Sequence, residues 1–160
     1  MSDPREQLRR YLEQRRELGE RELPTAQALI MAAAPADFRA EEPAASKIKK
    51  KSSPKSIALS PTPDILAITR KARPKNAVVV GFALETDDVM RGGREKLDAK
   101  ALDLIVINDA REPGAGFEVD TNRVTLLGRD GTEETLPLLT KDEVADEILD
   151  RVEKLLRERS

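Results

Sequence analysis

The sequence contains neither cysteine nor histidine among its 160 residues. Without cysteine, the chain has no disulfide framework, no thiolate nucleophile and no Cys-ligated metal site. Without histidine it also lacks the usual general base, so any proton transfer falls to aspartate, glutamate or lysine. Few catalytic mechanisms are therefore readily available to this chain.

Aromatic residues and long apolar runs are scarce as well. The aromatic residues are Tyr11, Phe38, Phe82 and Phe117, which are few for a surface that stacks single-stranded nucleic acid. No run approaches the roughly 18 apolar residues of a membrane span, and the N-terminus lacks the apolar core of a signal peptide. We therefore expect a cytoplasmic protein, with neither nucleic acid nor a membrane among its partners.

Charged residues are abundant. They make up 36% of the chain, against 39% hydrophobic residues, and the formal net charge is -2. A chain of this length is one domain by the usual prior and can bury a core. The small net charge does not decide which ligands bind, because a local cluster sets the field that an anion experiences.

The stretch from Ala28 to Lys51 begins apolar and ends strongly basic. The run Ala28 to Ala34 predicts a parallel-type strand whose small residues admit another backbone or a ligand. Asp37 follows, and a loop aspartate more often caps a turn than takes part in catalysis. Five lysines then lie within nine positions: Lys47, Lys49, Lys50, Lys51 and Lys55. This basic segment predicts a mobile flap for an anion such as a triphosphate, although a lysine run is usually a solvated surface.

The rest of the chain alternates between predicted strands and helices. The predicted elements are a helix within residues 1–23, a strand at Ile57 to Leu59, a helix at Ile65 to Lys71, a strand at Asn76 to Phe82, a helix at Glu85 to Lys100, a strand at Leu102 to Asn108, a hairpin of Asn122 to Leu127 with Glu134 to Leu136, and a helix at Lys141 to Arg159. Strand, helix and strand at this spacing form a βαβ unit. The sequence therefore predicts an α/β fold: a mostly parallel, Rossmann-like sheet with flanking helices and a C-terminal β-hairpin.

Ligands of open α/β sheets bind just outside the carboxyl ends of the strands. In this chain those ends carry Ala33 to Asp37, Gly81 to Thr86, and Asn108 to Gly116. Each segment combines a small residue with a polar group, so we expect the three to converge on one cleft.

Several motifs resemble the phosphopantothenate–cysteine ligase family, the second half of the bifunctional bacterial coenzyme A biosynthesis enzyme. The first is A-A-A-x-A-D-F-R at Ala32 to Arg39, followed by K-I-K-K at Lys47 to Lys50. The others are P-D-I-L-A from Pro63, G-F-A-L-E-T from Gly81, R-E-K-L-D-A-K-A-L-D-L-I-V-I-N-D from Arg94, and G-A-G-F-E-V-D-T-N-R-V-T-L from Gly114. The resemblance covers roughly Ala28 to Val152 and is specific because the motifs occur together in order.

The resemblance implies a CTP-dependent ligase that works as a homodimer with magnesium. The carboxylate of 4'-phosphopantothenate attacks the α-phosphate of CTP to give an acyl-cytidylate, and the amine of cysteine then displaces CMP. Such chemistry depends on positioning and electrostatics, which lysines can supply without histidine.

The resemblance also assigns roles to residues. Asp37 and Lys47 are the catalytic pair that it implies. Nucleotide contacts are implied at Ala33, Ala34, Asp37, Lys47, Pro63, Asp64, Ile65, Leu66, Phe82, Lys96 and Lys100. Lys49 and Lys50 would support the flap, while Asn108 and Asp109 would close the base pocket or hold the following loop. The positions of Lys96 and Lys100 are unexpected, because a helix that leaves the cleft carries its C-terminal half away from it.

The chain departs from the family pattern before the first motif. The family has a glycine-rich nucleotide loop there, but this sequence has no glycine between Gly19 and Gly81. Pro35 also replaces the usual valine and removes a backbone donor beside the cleft. We expect a helical leader over residues 1–24 and a ligase-like domain over 25–160, incomplete relative to the family. The alternative is a non-catalytic nucleotide-binding or oligomerisation module of the same fold.

Overall fold

The computed structural model describes residues 21–42, 44, 48, 56–85, 88–109 and 119–159. Its strands are β1 (Ala28–Met31), β2 (Phe38–Ala40), β3 (Leu59–Pro61), β4 (Val78–Glu85), β5 (Leu104–Asp109), β6 (Thr121–Asn122), β7 (Val124–Gly128), β8 (Glu133–Thr135) and β9 (Leu139–Thr140). Its α-helices are α1 (Ile65–Ile68), α2 (Val89–Ala99) and α3 (Lys141–Glu158), and 3-10 helices span Leu23–Thr25 and Arg70–Ala72.

The chain divides into two compact units. The first combines Met1–Thr25 with Ala34–Arg73, and the second combines Ala26–Ala33 with Pro74–Ser160. None of the helices in the described ranges is long and apolar enough to cross a membrane.

The second unit is built on a five-stranded sheet with the order β1-β4-β5-β7-β8. The strands β1, β4 and β5 are parallel, and β7 and β8 continue the sheet as an antiparallel hairpin. The predicted α/β fold, with its parallel core and C-terminal hairpin, is confirmed.

Helices α2 and α3 cover opposite faces of this sheet. Alternate residues of β4, β5 and β7 form one core cluster with the apolar face of α3: Val78, Val80, Leu104, Val106, Val124 and Leu126, with Val144, Ile148 and Val152. On the other face, α2 approaches the sheet so closely that a Cβ on Gly93 would overlap Ile107 Cδ1. The side chains between α2 and the sheet, such as Leu97, Ile105 and Ile107, are also buried, so the sheet has a core on each side.

The first unit contains a two-stranded antiparallel sheet of β2 and β3, with Phe38 opposite Pro61 and Ala40 opposite Leu59. The short helix α1 follows, because Asp64 caps its first turn: Asp64 Oδ1 accepts hydrogen bonds from the backbone of Leu66 (2.9 Å) and of the next residue (3.2 Å). This is the capping role expected of an aspartate at such a turn.

Several predicted boundaries were wrong. The first strand ends at Met31 instead of Ala34, and the strand predicted at Ile57 to Leu59 lies at Leu59–Pro61, because it pairs with β2. The helix predicted at Ile65 to Lys71 is one α-helical turn followed by a 3-10 turn. The helix predicted from Glu85 begins at Val89, because β4 continues to Glu85 and Asp88 is the N-cap. The N-terminal helix and most of the lysine segment lie outside the described residues.

Candidate functional site

The carboxyl ends of β1, β4 and β5 meet at one edge of the sheet because these strands are parallel. Met31, the last residue of β1, is in register with Gly81 of β4. Ala33 lies two residues beyond the end of β1, Phe82 follows Gly81 in β4, and Asn108 lies near the end of the adjacent β5. Within the second unit, Ala33, Phe82 and Asn108 therefore lie toward the same edge of the sheet. The convergence of the three predicted segments on one cleft stays a prediction.

Phe82 and Asn108 share the face of the sheet that α3 covers. Each lies two residues after a member of the core cluster against α3, Phe82 after Val80 and Asn108 after Val106, so the side chains point to the same face. Phe82 lies beyond the cover of that helix and is 37% exposed. Asn108 Oδ1 accepts a hydrogen bond of 2.8 Å from Asn122 Nδ2. This end of the face therefore offers an open aromatic ring and a fixed amide.

The bond from Asn122 corrects one prediction. Sequence analysis placed Asn122 at the start of the hairpin, but Asn122 belongs to β6, which pairs with β9, and its side chain binds Asn108 on β5. The backbone carbonyl of Asp120 accepts a hydrogen bond of 2.9 Å from Lys141 N, at the start of α3. Asn122 thus orients a residue of the candidate site.

Lys96 lies on the opposite face, in α2. Its Nζ is 2.7 Å from Oε1 of Glu85, the last residue of β4. Lys100 is the C-cap of α2, and its backbone N–H donates to the carbonyl of Lys96 at 3.0 Å. Since Phe82 and Lys96 lie on different faces, one ligand that touches both must lie across the carboxyl edge of the sheet.

The remaining described candidates belong to the first unit. Asp37 is exposed, and its backbone carbonyl accepts a hydrogen bond of 2.8 Å from the N–H of Thr62. This bond brings Asp37 beside the turn at Pro63 to Leu66. Asp37 and this turn are therefore neighbours, although Asp64 also serves as the cap of α1.

Four candidates have no described side chain, and one lies in the other unit from Ala33. Lys47, Lys49 and Lys50 fall outside the described residues. Asp109 is the last residue of β5, and Ala34 belongs to the first unit.

Glu85, which pairs with the candidate residue Lys96, was not among the candidates from sequence analysis. It was placed at the start of a helix, although it ends a buried strand and its side chain is 15% exposed. A carboxylate in the motif G-F-A-L-E-T, directly after an apolar strand, was the available signal.

A groove of about 520 Å³ lies at the other end of the second unit. It is lined by Asp103 and Leu104 at the amino end of β5, by the turn after β7 and by the last turns of α3. Its charges are largely bound to one another, as in the pair of Arg159 with Asp103. Thr132 donates a side-chain hydrogen bond to Asp130 and thereby lowers the pKa of that carboxyl. The groove therefore lies opposite the candidate site and does not contribute to it.

Comparison with known proteins agrees with the motifs. The chain matches the family model of the DNA/pantothenate metabolism flavoprotein C-terminal domain over residues 12–156. It is 41% identical over 130 residues to the coenzyme A biosynthesis bifunctional protein CoaBC of Bacillus subtilis (strain 168), covering 81% of this chain and 32% of that protein. It is 44% identical over 123 residues to a cysteine/cysteine sulfinic acid decarboxylase from an unknown prokaryotic organism, covering 77% and 34%.

A solved structure gives the same result. The crystal structure of the C-terminal domain of the coenzyme A biosynthesis bifunctional protein CoaBC is similar, with a TM-score of 0.66 and 29% identity over 99% of this chain and 65% of that one. The chain thus spans about a third of the length of the curated relatives it matches. It belongs to the DNA/pantothenate metabolism flavoprotein C-terminal domain family, the phosphopantothenate–cysteine ligase half of the bifunctional coenzyme A biosynthesis proteins.

Proposed function

We propose that this chain is a CTP-dependent ligase domain that joins 4'-phosphopantothenate to cysteine in coenzyme A biosynthesis. The observation that carries the proposal is the carboxyl edge of the sheet, toward which the parallel strands β1, β4 and β5 all run. This edge is where open α/β sheets bind ligands, and the family membership supplies the reaction.

The proposed reaction has two steps. A carboxylate oxygen of 4'-phosphopantothenate attacks the α-phosphorus of CTP, the bond to the bridging oxygen breaks, and pyrophosphate leaves. The amine of cysteine then attacks the acyl carbon of the acyl-cytidylate, losing a proton as CMP departs and the amide forms. Both steps develop negative charge on phosphate oxygens, so fixed cations at the site would stabilise their transition states.

The family resemblance assigns residues to this reaction. Lys47 is assigned to the phosphates and Asp37 to the bound nucleotide, with Lys49 and Lys50 supporting the flap. Phe82 offers its exposed ring to the cytosine base, because aromatic faces stack on bases. The other assigned nucleotide contacts are Ala33, Ala34, Pro63, Asp64, Ile65, Leu66, Lys96 and Lys100, with Asn108 and Asp109 at the base pocket.

Magnesium enters this proposal as the complex with CTP. In the described parts of the chain, no group of three or more acidic side chains is placed to hold a metal ion. Magnesium commonly binds through the phosphates of its substrate plus one or two carboxylates, and the exposed Asp37 is a carboxylate of that kind.

A non-catalytic nucleotide-binding or oligomerisation module is the second candidate. It is favoured by one observation, which is that no glycine occurs between Gly19 and Gly81 to form the family's glycine-rich loop. Such a module would bind CTP without releasing pyrophosphate. The division into a leader over residues 1–24 and a domain over 25–160, the homodimer and the cytoplasmic location all remain predictions.

The first test is calorimetric titration of CTP and magnesium into the full chain. We expect binding by the parent and loss of binding by Asp37→Ala and by Lys47→Ala. Lys71→Ala, which removes an exposed lysine of the same unit, is the control and should bind like the parent. A folded parent that does not bind CTP would contradict the proposal.

A second measurement separates the two candidates. Pyrophosphate release is followed after addition of CTP, magnesium and 4'-phosphopantothenate, with and without cysteine. Release that depends on 4'-phosphopantothenate supports the ligase, whereas binding without release supports the module.

A further inference from the structure

The ion pair of Glu85 and Lys96 joins the carboxyl end of β4 to the middle of α2. Glu85 Oε1 and Lys96 Nζ are 2.7 Å apart, and their side chains are 15% and 44% exposed. The carboxylate is thus nearly buried while the ammonium still faces solvent on one side. Such an arrangement anchors a cation at one end and leaves the rest of it available.

Gly92 leaves the space that this pair needs. It lies one helical turn before Lys96, and a Cβ at this position would be 2.9 Å from Glu85 Oε2 and 3.1 Å from Oε1. Glycine is the least favourable residue in a helix interior after proline. Its presence here is explained by the carboxylate of Glu85, which lies against the bare backbone of the helix.

The direction of side chains in a helix explains how Lys96 reaches the edge of the sheet. Helical side chains lean toward the N-terminus of their helix. The side chain of Lys96 therefore extends back over Gly92 toward the start of α2, where the end of β4 lies. This direction explains how the contact that the resemblance implies at Lys96 could form, although Lys96 lies in the second half of a helix that leads away from the edge.

The pair is also expected to persist when a ligand binds. Among the described residues, no aligned hydrogen bond reaches Glu85 Oε1, so the Lys96 ammonium balances its charge. Withdrawing the ammonium would leave a nearly buried carboxylate unpaired, which is strongly unfavourable. An ammonium has three donors, so Lys96 can keep Glu85 and still donate to a phosphate oxygen.

We propose that Glu85 is a positioning residue, which with Gly92 fixes the Lys96 ammonium at the carboxyl edge of the sheet to bind a phosphate group of the nucleotide. This inference rests on the proposed function. It concerns a residue to which the family motifs assign no contact.

The test is a double-mutant cycle on Glu85 and Lys96, measured as the Kd of CTP with magnesium for the full chain. Lys96→Met should weaken binding about tenfold or more, since it removes a charge-assisted hydrogen bond. Glu85→Gln should weaken binding in the parent but have no effect in the Lys96→Met background. Gly92→Ala, which shifts the carboxylate together with the Lys96 ammonium that it pairs with, should weaken binding like Glu85→Gln.

The sign of the Glu85→Gln effect is decisive. If Glu85 were only a nearby anion, removing its charge would tighten the binding of a polyanion, and the inference would be overturned. An equal weakening in both backgrounds would indicate a purely structural role and would also overturn it. Glu95→Gln, at an exposed position of the same helix, removes the same charge and should leave the Kd unchanged.

Failure of the inference can be told from failure of the proposed function. If the parent binds CTP and Lys96→Met binds equally well, only the inference is overturned. If the folded parent does not bind CTP at all, the proposed function is contradicted, and the inference with it.

Discussion

Arg159 binds Asp103 through two hydrogen bonds and thereby fastens the end of α3 to the amino end of β5. The Nη2–Oδ1 and Nη1–Oδ2 distances are 2.6 and 3.2 Å. Oδ2 of Asp103 also accepts a hydrogen bond of 2.8 Å from Val79 N, and Nη1 of Arg159 donates to Ala77 O at 2.8 Å. One buried carboxylate thus connects the last helix with both central strands.

Replacing Arg159 by methionine should destabilise the chain by about 2 kcal/mol. Removing one partner of a buried pair costs roughly 3–5 kcal/mol, and the arginine side chain is 30% exposed, which lowers the expected loss. Arg157→Met is the control, because the side chain of Arg157 is 76% exposed in its pair with Glu153. Urea unfolding followed by circular dichroism measures both variants, and an equal loss in the two would contradict the prediction.

Adjacent glycines of α2 should respond in opposite directions to alanine. Gly93→Ala places a methyl group into Ile107, and overpacking of this kind costs about 1–3 kcal/mol. Gly92→Ala meets only the end of the Glu85 side chain, which can shift together with the Lys96 ammonium that it pairs with, and alanine improves helix propensity by about 1 kcal/mol. Urea unfolding should show Gly93→Ala less stable and Gly92→Ala at least as stable as the parent, and the reverse order would contradict this account.

The elements that sequence analysis predicted well are those with long buried patterns. Runs of apolar β-branched residues identified β4 and β5, and helical spacing of Val144, Ile148 and Val152 identified α3. Strands β2, β6 and β9 were missed because they have two or three residues, which is too few for a period to be recognised.

The candidate site was predictable only in part, because contacts between different elements leave no local pattern in the sequence. Small and polar residues after apolar runs correctly indicated one edge of the sheet, because parallel strands end together. The partner of Lys96 could not be predicted, since it depends on how closely α2 packs on the sheet. Asn122 was placed in the hairpin because a side-chain bond between two different elements, such as its bond to Asn108, cannot be read from the sequence.

The capping box at the start of α3 should make stability depend on pH. Backbone and side-chain hydrogen bonds from Thr140 lower the pKa of Glu143 below its ordinary value. A carboxyl with a lowered pKa in the folded state adds stability above its unfolded pKa, and this contribution is lost as pH falls through the folded value. Glu143→Gln should therefore lose less stability than the parent when the pH falls below about 4.

Urea unfolding at neutral and acidic pH measures this difference. Glu133→Gln, at an exposed position of β8, controls for the removal of one negative charge. Parallel stability profiles for the parent and Glu143→Gln would contradict the assignment of this cap.

The outer edge of β1 should promote self-association. In the described residues β1 pairs with β4 alone, so its other edge presents unpaired backbone groups. Ile30 of this strand is 38% exposed. Exposed apolar edges pair with other chains, and a lysine at an edge opposes this pairing.

We therefore expect the parent to dimerise or aggregate, with a mass by light scattering that rises with protein concentration. Ile30→Lys should lower the apparent mass toward that of a monomer. Leu149→Lys, which places the same charge at a 52% exposed position of α3, should leave it unchanged. A parent that remains monomeric over a wide concentration range would contradict the prediction, because the β1 edge would then be protected without a second chain.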